Sequence, residues 1–117
     1  DCRRALSPNG ILRVIVPDAE KYIRAYLQPG WEAINSIGCG GDNPEGLFKT
    51  KMAALSHVFL QDGEHYGGWD VETLTLALRE AGFSRIDRRS WREGEFPGGC
   101  IDREQHRPYS LYMEARP

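Results

Sequence analysis

One stretch near the start decides the fold: Ser7-Pro8-Asn9-Gly10, then Ile11-Leu12-Arg13-Val14-Ile15-Val16, then Pro17-Asp18. Proline followed by Asn-Gly predicts a tight turn, because proline presets φ and Asn-Gly accepts a positive φ. The six residues after the turn are apolar on both alternating faces except at Arg13, which is typical of a strand covered above and below. Pro17 removes an N–H donor and Asp18 is a good N-cap, so we expect the strand to end there and lead into a helix.

Three helices are expected after this strand, each with apolar residues at helical spacing. The first is capped by Asp18 and stops at residues 28–30; the second is capped by Asn43 with Pro44 in its first position; the third is capped by Asp70 and stops at Gly82. Their expected apolar residues are Tyr22, Ile23, Tyr26 and Leu27, then Phe48, Met52, Leu55 and Phe59, then Val71, Leu74, Ala77, Leu78 and Ala81. Two alternating segments, 84–91 and 109–115, predict two further strands at the end of the chain.

Length and composition favour a single soluble domain over residues 1–117. The 117 residues are 40% hydrophobic and 27% charged with a net charge of −2, which argues against disorder and a membrane-embedded chain and makes nucleic-acid binding unlikely. The three cysteines are widely spaced and form no CxxC pair, which favours a reduced, cytoplasmic protein. The three histidines lack the spacing of paired metal ligands, so no metal site is expected.

The loop over residues 62–70 is the most promising binding segment. It places His65, Tyr66 and Trp69 among acidic residues and glycines, and binding groups often lie on such loops. The alternative is structural: His65 hydrogen-bonds to the backbone, and Trp69 covers the start of the third helix. The glycine cluster at residues 38–41 lacks the strand and helix that a phosphate loop requires, so we interpret it as an ordinary loop.

A basic segment over residues 85–92 raises the possibility of RNA binding. It holds four arginines and Trp91, which together could contact phosphates and stack on bases. However, Asp87, Glu93 and Glu95 interleave with the arginines and largely cancel their charge. We therefore favour a solvated strand face over an RNA-binding surface.

Three segments in order resemble class I S-adenosylmethionine-dependent methyltransferases. Residues 6–18 are similar to the family's Leu-Lys-Pro-Gly-Gly turn, fifth strand and Pro-Asp exit, with Asn9 where glycine is usual. Residues 70–83, ending in Ala81-Gly82-Phe83, resemble the helix before the sixth strand, and residues 110–115 resemble the seventh strand. The resemblance implies an α/β fold with a partial Rossmann-like sheet and about three helices. The three strands would lie in the spatial order first, third, second, with the last antiparallel to its neighbours.

The same resemblance implies that the cofactor half of such a domain precedes Asp1. In that family the cofactor lies at the first four strands, so no catalytic or cofactor-binding residue can be assigned here. We expect no cofactor in this chain, and S-adenosylmethionine only if an N-terminal half completes it. The substrate-side candidates are Asp18, His65, Tyr66 and Trp69.

An absent fourth strand leaves residues 11–16 as an open sheet edge, which is apolar apart from Arg13. Unblunted edges of this kind pair with another strand. We expect either a homodimer, with two copies pairing antiparallel about a twofold axis, or a partner chain that supplies the missing N-terminal half. Two functions follow as hypotheses: a methyltransferase-derived substrate-side fragment that is inactive alone, or a non-catalytic interaction module that dimerises through this edge.

Overall fold

The computed structural model describes residues 2–38, 48–96 and 99–117, except for the side chain of Asp62. In these residues there are five α-helices and three strands: α1 (Cys2–Ala5), β1 (Leu12–Pro17), α2 (Ala19–Leu27), α3 (Glu32–Ser36), α4 (Lys51–Leu60), α5 (Val71–Glu80), β2 (Arg85–Arg89) and β3 (Ser110–Arg116). Short 3₁₀ turns lie at Gln61–Gly63 and Glu104–His106. The chain divides into two compact units, residues 1–16 with 70–117 and residues 17–69. The sequence predicted about three helices, and the structure has five in the described residues. The two additional helices are short: α1 has four residues and α3 has five.

The three strands form one antiparallel sheet in the order β1-β3-β2. The register of β2 and β3 runs from Arg85 opposite Arg116 to Arg89 opposite Tyr112. The predicted strand order and the antiparallel last strand are therefore confirmed. Among the described residues β3 is the only strand that pairs with β1, so within them β1 is an edge strand.

The bounds of β1 differ by one residue at each end from the expected strand. Ile11 is buried but precedes the strand, and Pro17 is its last residue rather than the first one beyond it. Proline is tolerated at an edge-strand end, where its missing N–H breaks no interior ladder. Burial along β1 is only partial, and Ile15 is 37% exposed.

The core of the first unit lies between α5 and one face of the sheet. Its buried cluster comprises Leu74, Leu78, Phe83, Leu111, Met113 and Ala115, and Leu12, Val14, Val16 and Ile86 pack against it. Asp70 caps α5 as expected, with its Oδ1 accepting the N–H of Thr73 at 2.7 Å. Gly82 adopts a φ of 92°, which only glycine takes easily, and ends the helix so that Phe83 turns back into the core.

In the second unit, α2 packs against α3 and α4. Its buried residues are Ala19, Tyr22 and Ala25, and the Tyr22 ring meets Phe59 edge-to-face at 6.5 Å. The prediction that Ile23 and Leu27 belong to the buried face was wrong, since they are 46% and 71% exposed. The contact face of α2 instead contains the small residues Ala19 and Ala25 beside Tyr22. Ile23 and Leu27 lie on another face of the helix and meet solvent.

The start of α4 also differs from the sequence prediction. Thr50 is its N-cap, with the hydroxyl accepting the N–H of Ala53 at 3.1 Å, while the expected caps Asn43 and Pro44 lie outside the described residues. Phe48 therefore precedes the helix and Met52 is 51% exposed. The buried residues of α4 are Ala54, Leu55 and Val58. The helix faces its unit with a stripe that shares Leu55 with the expected one but uses Ala54 and Val58 in place of Met52.

Candidate functional site

Two of the predicted site residues, Asp18 and Trp69, are brought together in the second unit. Their backbones form an isolated parallel bridge, in which the Trp69 carbonyl accepts the N–H of Ala19 at 2.8 Å. Asp18 is 1% exposed, and its Oδ1 accepts the N–H of Glu20 at 3.1 Å as the N-cap of α2. The Asp18 carboxylate thus begins a helix, whereas the Trp69 side chain, 37% exposed, meets solvent.

The other two predicted residues follow α4 and differ in their surroundings. The His65 Nδ1 donates a hydrogen bond to the Val58 carbonyl at 3.0 Å, and its backbone N–H donates to the Leu60 carbonyl at 3.1 Å. The structural alternative for His65 is therefore what the structure shows. Tyr66 is fully exposed. Of the four predicted residues, Tyr66 and Trp69 are the two whose side chains present substantial surface to a partner.

A buried charge cluster, which sequence reasoning missed, lies in the first unit around Arg13. The guanidinium donates two hydrogen bonds to the Asp102 carboxylate, from Nε to Oδ1 at 3.0 Å and from Nη2 to Oδ2 at 2.7 Å. It also donates from Nη1 to Glu114 Oε1 at 3.2 Å and to the carbonyls of Ser90 and Glu93 at 3.1 Å each. The three charged side chains are only 7%, 1% and 3% exposed. All five N–H groups of Arg13 are therefore used inside the protein.

The two buried carboxylates also bind the turn that follows β2. Asp102 Oδ2 accepts the N–H of Arg92 at 2.6 Å, and Glu114 Oε2 accepts the N–H of Glu95 at 2.9 Å. Between these contacts lies Gly94, where an added Cβ would overlap Glu114 Oε1. The turn thus covers Glu114 on the polar face of the sheet, where Ser110 and Tyr112 are buried as well.

The positive charge of the basic segment at residues 85–92 is largely neutralised by Glu95 and Glu114. Glu95 accepts hydrogen bonds from Arg85, Arg89 and Arg116, and Arg89 Nε also donates to Glu114 Oε2 at 3.0 Å. These contacts lower the pKa of Glu95, chiefly through the hydrogen bond from Arg89. Arginines held by carboxylates in this way are poorly available to phosphates, which favours the solvated-face interpretation over RNA binding.

Arg13 and Asp102 stabilise each other's charged forms. The hydrogen bond from Arg13 lowers the pKa of Asp102 below its usual value, and although burial opposes the charge on Arg13, the hydrogen bond and charge of Asp102 raise the Arg13 pKa. Burial raises the pKa of Tyr112, whose ring lies 5.3 Å from the Arg13 guanidinium carbon. None of these three shifts moves a group toward neutral pH, as general acid–base catalysis requires. The arrangement is suited to holding the loop, not to proton transfer.

The free edge of β1 is the second feature of this unit that bears on function. Arg13, the sole charge in the predicted edge 11–16, is directed into the cluster and shielded from solvent. Within β1, Ile15 lies on the same face as Arg13 and is 37% exposed. An edge strand without an exposed charge is open to pairing with a further strand.

The described segments hold no group of three or more His, Cys, Asp or Glu residues arranged for a metal ion. Across the same segments no helix has both the length and the apolar character needed to span a bilayer. Comparison with protein-family models, with curated proteins and with solved structures found no match.

Proposed function

We propose that this chain forms the acceptor-side part of a class I S-adenosylmethionine-dependent methyltransferase domain and has no methyltransferase activity alone. The observation that carries the proposal is the strand order β1-β3-β2 with an antiparallel β3 in the middle. This is the order that the resemblance predicts for strands similar to the family's fifth, sixth and seventh. The agreement between the observed and the expected strand order supports the proposal.

In this proposal, strands outside the 117 residues bind S-adenosylmethionine and pair along the free edge of β1. Tyr66 and Trp69 contact the methyl acceptor, since their side chains are exposed in the unit that begins where β1 ends. Asp18 and His65 support this loop by capping α2 and by binding the Val58 carbonyl. The setting is cytoplasmic and reducing, in keeping with the free thiols of Cys2 and Cys100.

The direct test is calorimetric titration of the 117-residue chain with S-adenosylmethionine. We expect no saturable heat, because the cofactor is assigned to strands outside these residues. Saturable binding at one site per chain would contradict that assignment. A positive test joins the chain, at Ser7, to the four-strand cofactor half of a structurally known class I methyltransferase. The fusion should protect the β1 amides from hydrogen exchange; a folded fusion with β1 amides as fast as in the isolated chain would refute the proposal.

A second function is favoured by a different observation: the Arg13 side chain is buried against Asp102 and Glu114 and presents no charge along the edge of β1. The chain would then be a non-catalytic interaction module that accepts a strand from a second copy or from another chain along β1. Pairing there satisfies backbone groups that β3 does not reach. The two functions are separable, since edge pairing by the isolated chain requires no cofactor-binding half. Sedimentation of the isolated chain over micromolar concentrations tests the self-pairing form.

A further inference from the structure

We propose that the strand accepted by β1 is β1 of a second copy, paired antiparallel about a twofold axis that passes through Ile15. The proposal rests on the second function above and names its partner. It starts from the alternation of side chains along β1. Leu12, Val14 and Val16 pack on the buried core cluster, so Arg13 and Ile15 point to the opposite face.

Symmetry restricts how two copies of this edge can pair. An axis that makes two neighbouring strands antiparallel in one sheet is perpendicular to that sheet, so each residue faces a residue from the same side of it. One residue of β1 must then lie directly opposite its own counterpart in the second copy, and the axis is said to pass through that residue. The core-facing valines of one copy therefore extend the apolar face of the other, whichever residue is chosen.

The positions of Arg13 and Ile15 select among the residues through which the axis can pass. An axis through Arg13 would oppose two guanidinium stems directly, and an axis through Val14 would separate them by about 7 Å along the strands. An axis through Ile15 separates them by about 13 Å, places Val14 opposite Val16, and sets Arg13 opposite Pro17. This register also pairs the two half-exposed Ile15 side chains, so each covers the other.

Arg13 permits this pairing because its charge is already neutralised within each copy. Its guanidinium is 93% shielded and donates to Asp102 and Glu114. Edge strands of natural proteins are protected by several devices, among them charged side chains, lysine above all, proline, bulges and covering segments. Here the one charge that could protect the edge is directed toward β3 and the loop beyond it, which leaves a neutral, self-complementary strand.

Site-specific disulfide formation tests the register. In a background with Cys2, Cys39 and Cys100 replaced by serine, Ile15→Cys should form a disulfide-linked dimer under mild oxidation, because directly opposed residues place their Cα atoms about 4.5–5.5 Å apart, within the range that disulfides span. Ile23→Cys is the matched control, since Ile23 is similarly exposed but lies on α2. Rapid linkage at position 15 with little at position 23 supports the proposal. Dimers that link no faster at position 15 than at 23 overturn the register.

Sedimentation velocity keeps the proposal testable if a cysteine variant fails to fold. The unmodified chain should reach twice the monomer mass at tens of micromolar, and Ile15→Lys should weaken this dimer about tenfold or more by opposing two charges at the axis. A chain that stays monomeric at about 100 μM, a concentration ample for edge pairing of micromolar affinity, overturns self-pairing. That result would leave the strand-accepting module with a different partner, and neither result depends on S-adenosylmethionine binding.

Discussion

Asp102→Ala is expected to be among the most destabilising single substitutions in the chain. It leaves the Arg13 guanidinium, 7% exposed, with Glu114 as its remaining carboxylate, and it removes the acceptor of the Arg92 N–H. Breaking a buried ion pair from one side costs about 3–5 kcal/mol. Because Glu114 and two backbone carbonyls still receive hydrogen bonds from Arg13, we place the loss at the lower end, about 3 kcal/mol.

Urea unfolding followed by circular dichroism measures this loss. A domain of this length has a free energy of unfolding of about 6–18 kcal/mol, so the variant should remain folded with its Tm about 10 °C lower. The double substitution Arg13→Met with Asp102→Leu should be less destabilising than the sum of the single ones, with a coupling of about 1–3 kcal/mol.

The control for this prediction is Arg24→Ala, which breaks an ion pair with Glu20 whose side chains are 74% and 50% exposed. Little change in the urea midpoint is expected there, because exposed pairs contribute weakly. The reasoning is refuted if Asp102→Ala loses less than about 1 kcal/mol, the range of surface pairs.

Three further predictions concern pH, packing and the candidate binding loop. The hydrogen bond from Arg13 lowers the pKa of Asp102 in the folded state, so the stabilisation it gives is present above the unfolded pKa near 3.8 and is lost as pH falls through the lower folded value. Below pH 4 the urea midpoint of Asp102→Asn should therefore fall less than that of the unmodified chain. An equal fall of the two midpoints with pH would contradict this. Gly94→Ala should lower the melting temperature, since a Cβ at 94 overlaps Glu114, whose carboxylate is held by Arg13 and Arg89; an unchanged melting temperature would show that the turn adjusts freely. Asp18→Ala should lose about 1–2 kcal/mol as a helix N-cap, while Tyr66→Ala, fully exposed, should leave the melting curve unchanged; a large loss at Tyr66 would assign it a structural role.

Local signals made several elements predictable from sequence. Asp18, Asp70 and Gly82 act within three residues of their own position, by capping a helix start or by adopting a positive φ at a helix end, and each does so in the structure. The turn at Ser7 to Gly10 is equally local, with the Gly10 N–H donating to the Ser7 carbonyl at 2.8 Å. Such features depend on nothing distant in the chain.

The start of α4 shows where local signals compete. Asn43 with Pro44 and Thr50 are both acceptable helix starts, and sequence alone offers no measure that selects Thr50. The buried face of α4 is a separate question, because what the helix packs against decides it: Ala54, Leu55 and Val58 are buried and Met52 is exposed.

The charge cluster was not predictable, because its partners are distant in sequence. Arg13 appeared to be an exception in an apolar strand, and its carboxylate partners lie 89 and 101 residues further along. Glu114 lay on the expected polar face of its strand, which was a partial signal. Asp102 lay in a charged loop with no periodicity, and only the folded sheet brings it beside Arg13.

Hydrogen exchange of the β1 amides as a function of chain concentration tests most directly whether this edge receives another strand. At dilutions where the chain is monomeric, the amides of residues 12–16 that β3 does not bind should exchange rapidly. At tens of micromolar they should become protected to the level of β3. If their exchange rates do not change across this concentration range, the isolated chain does not pair through β1.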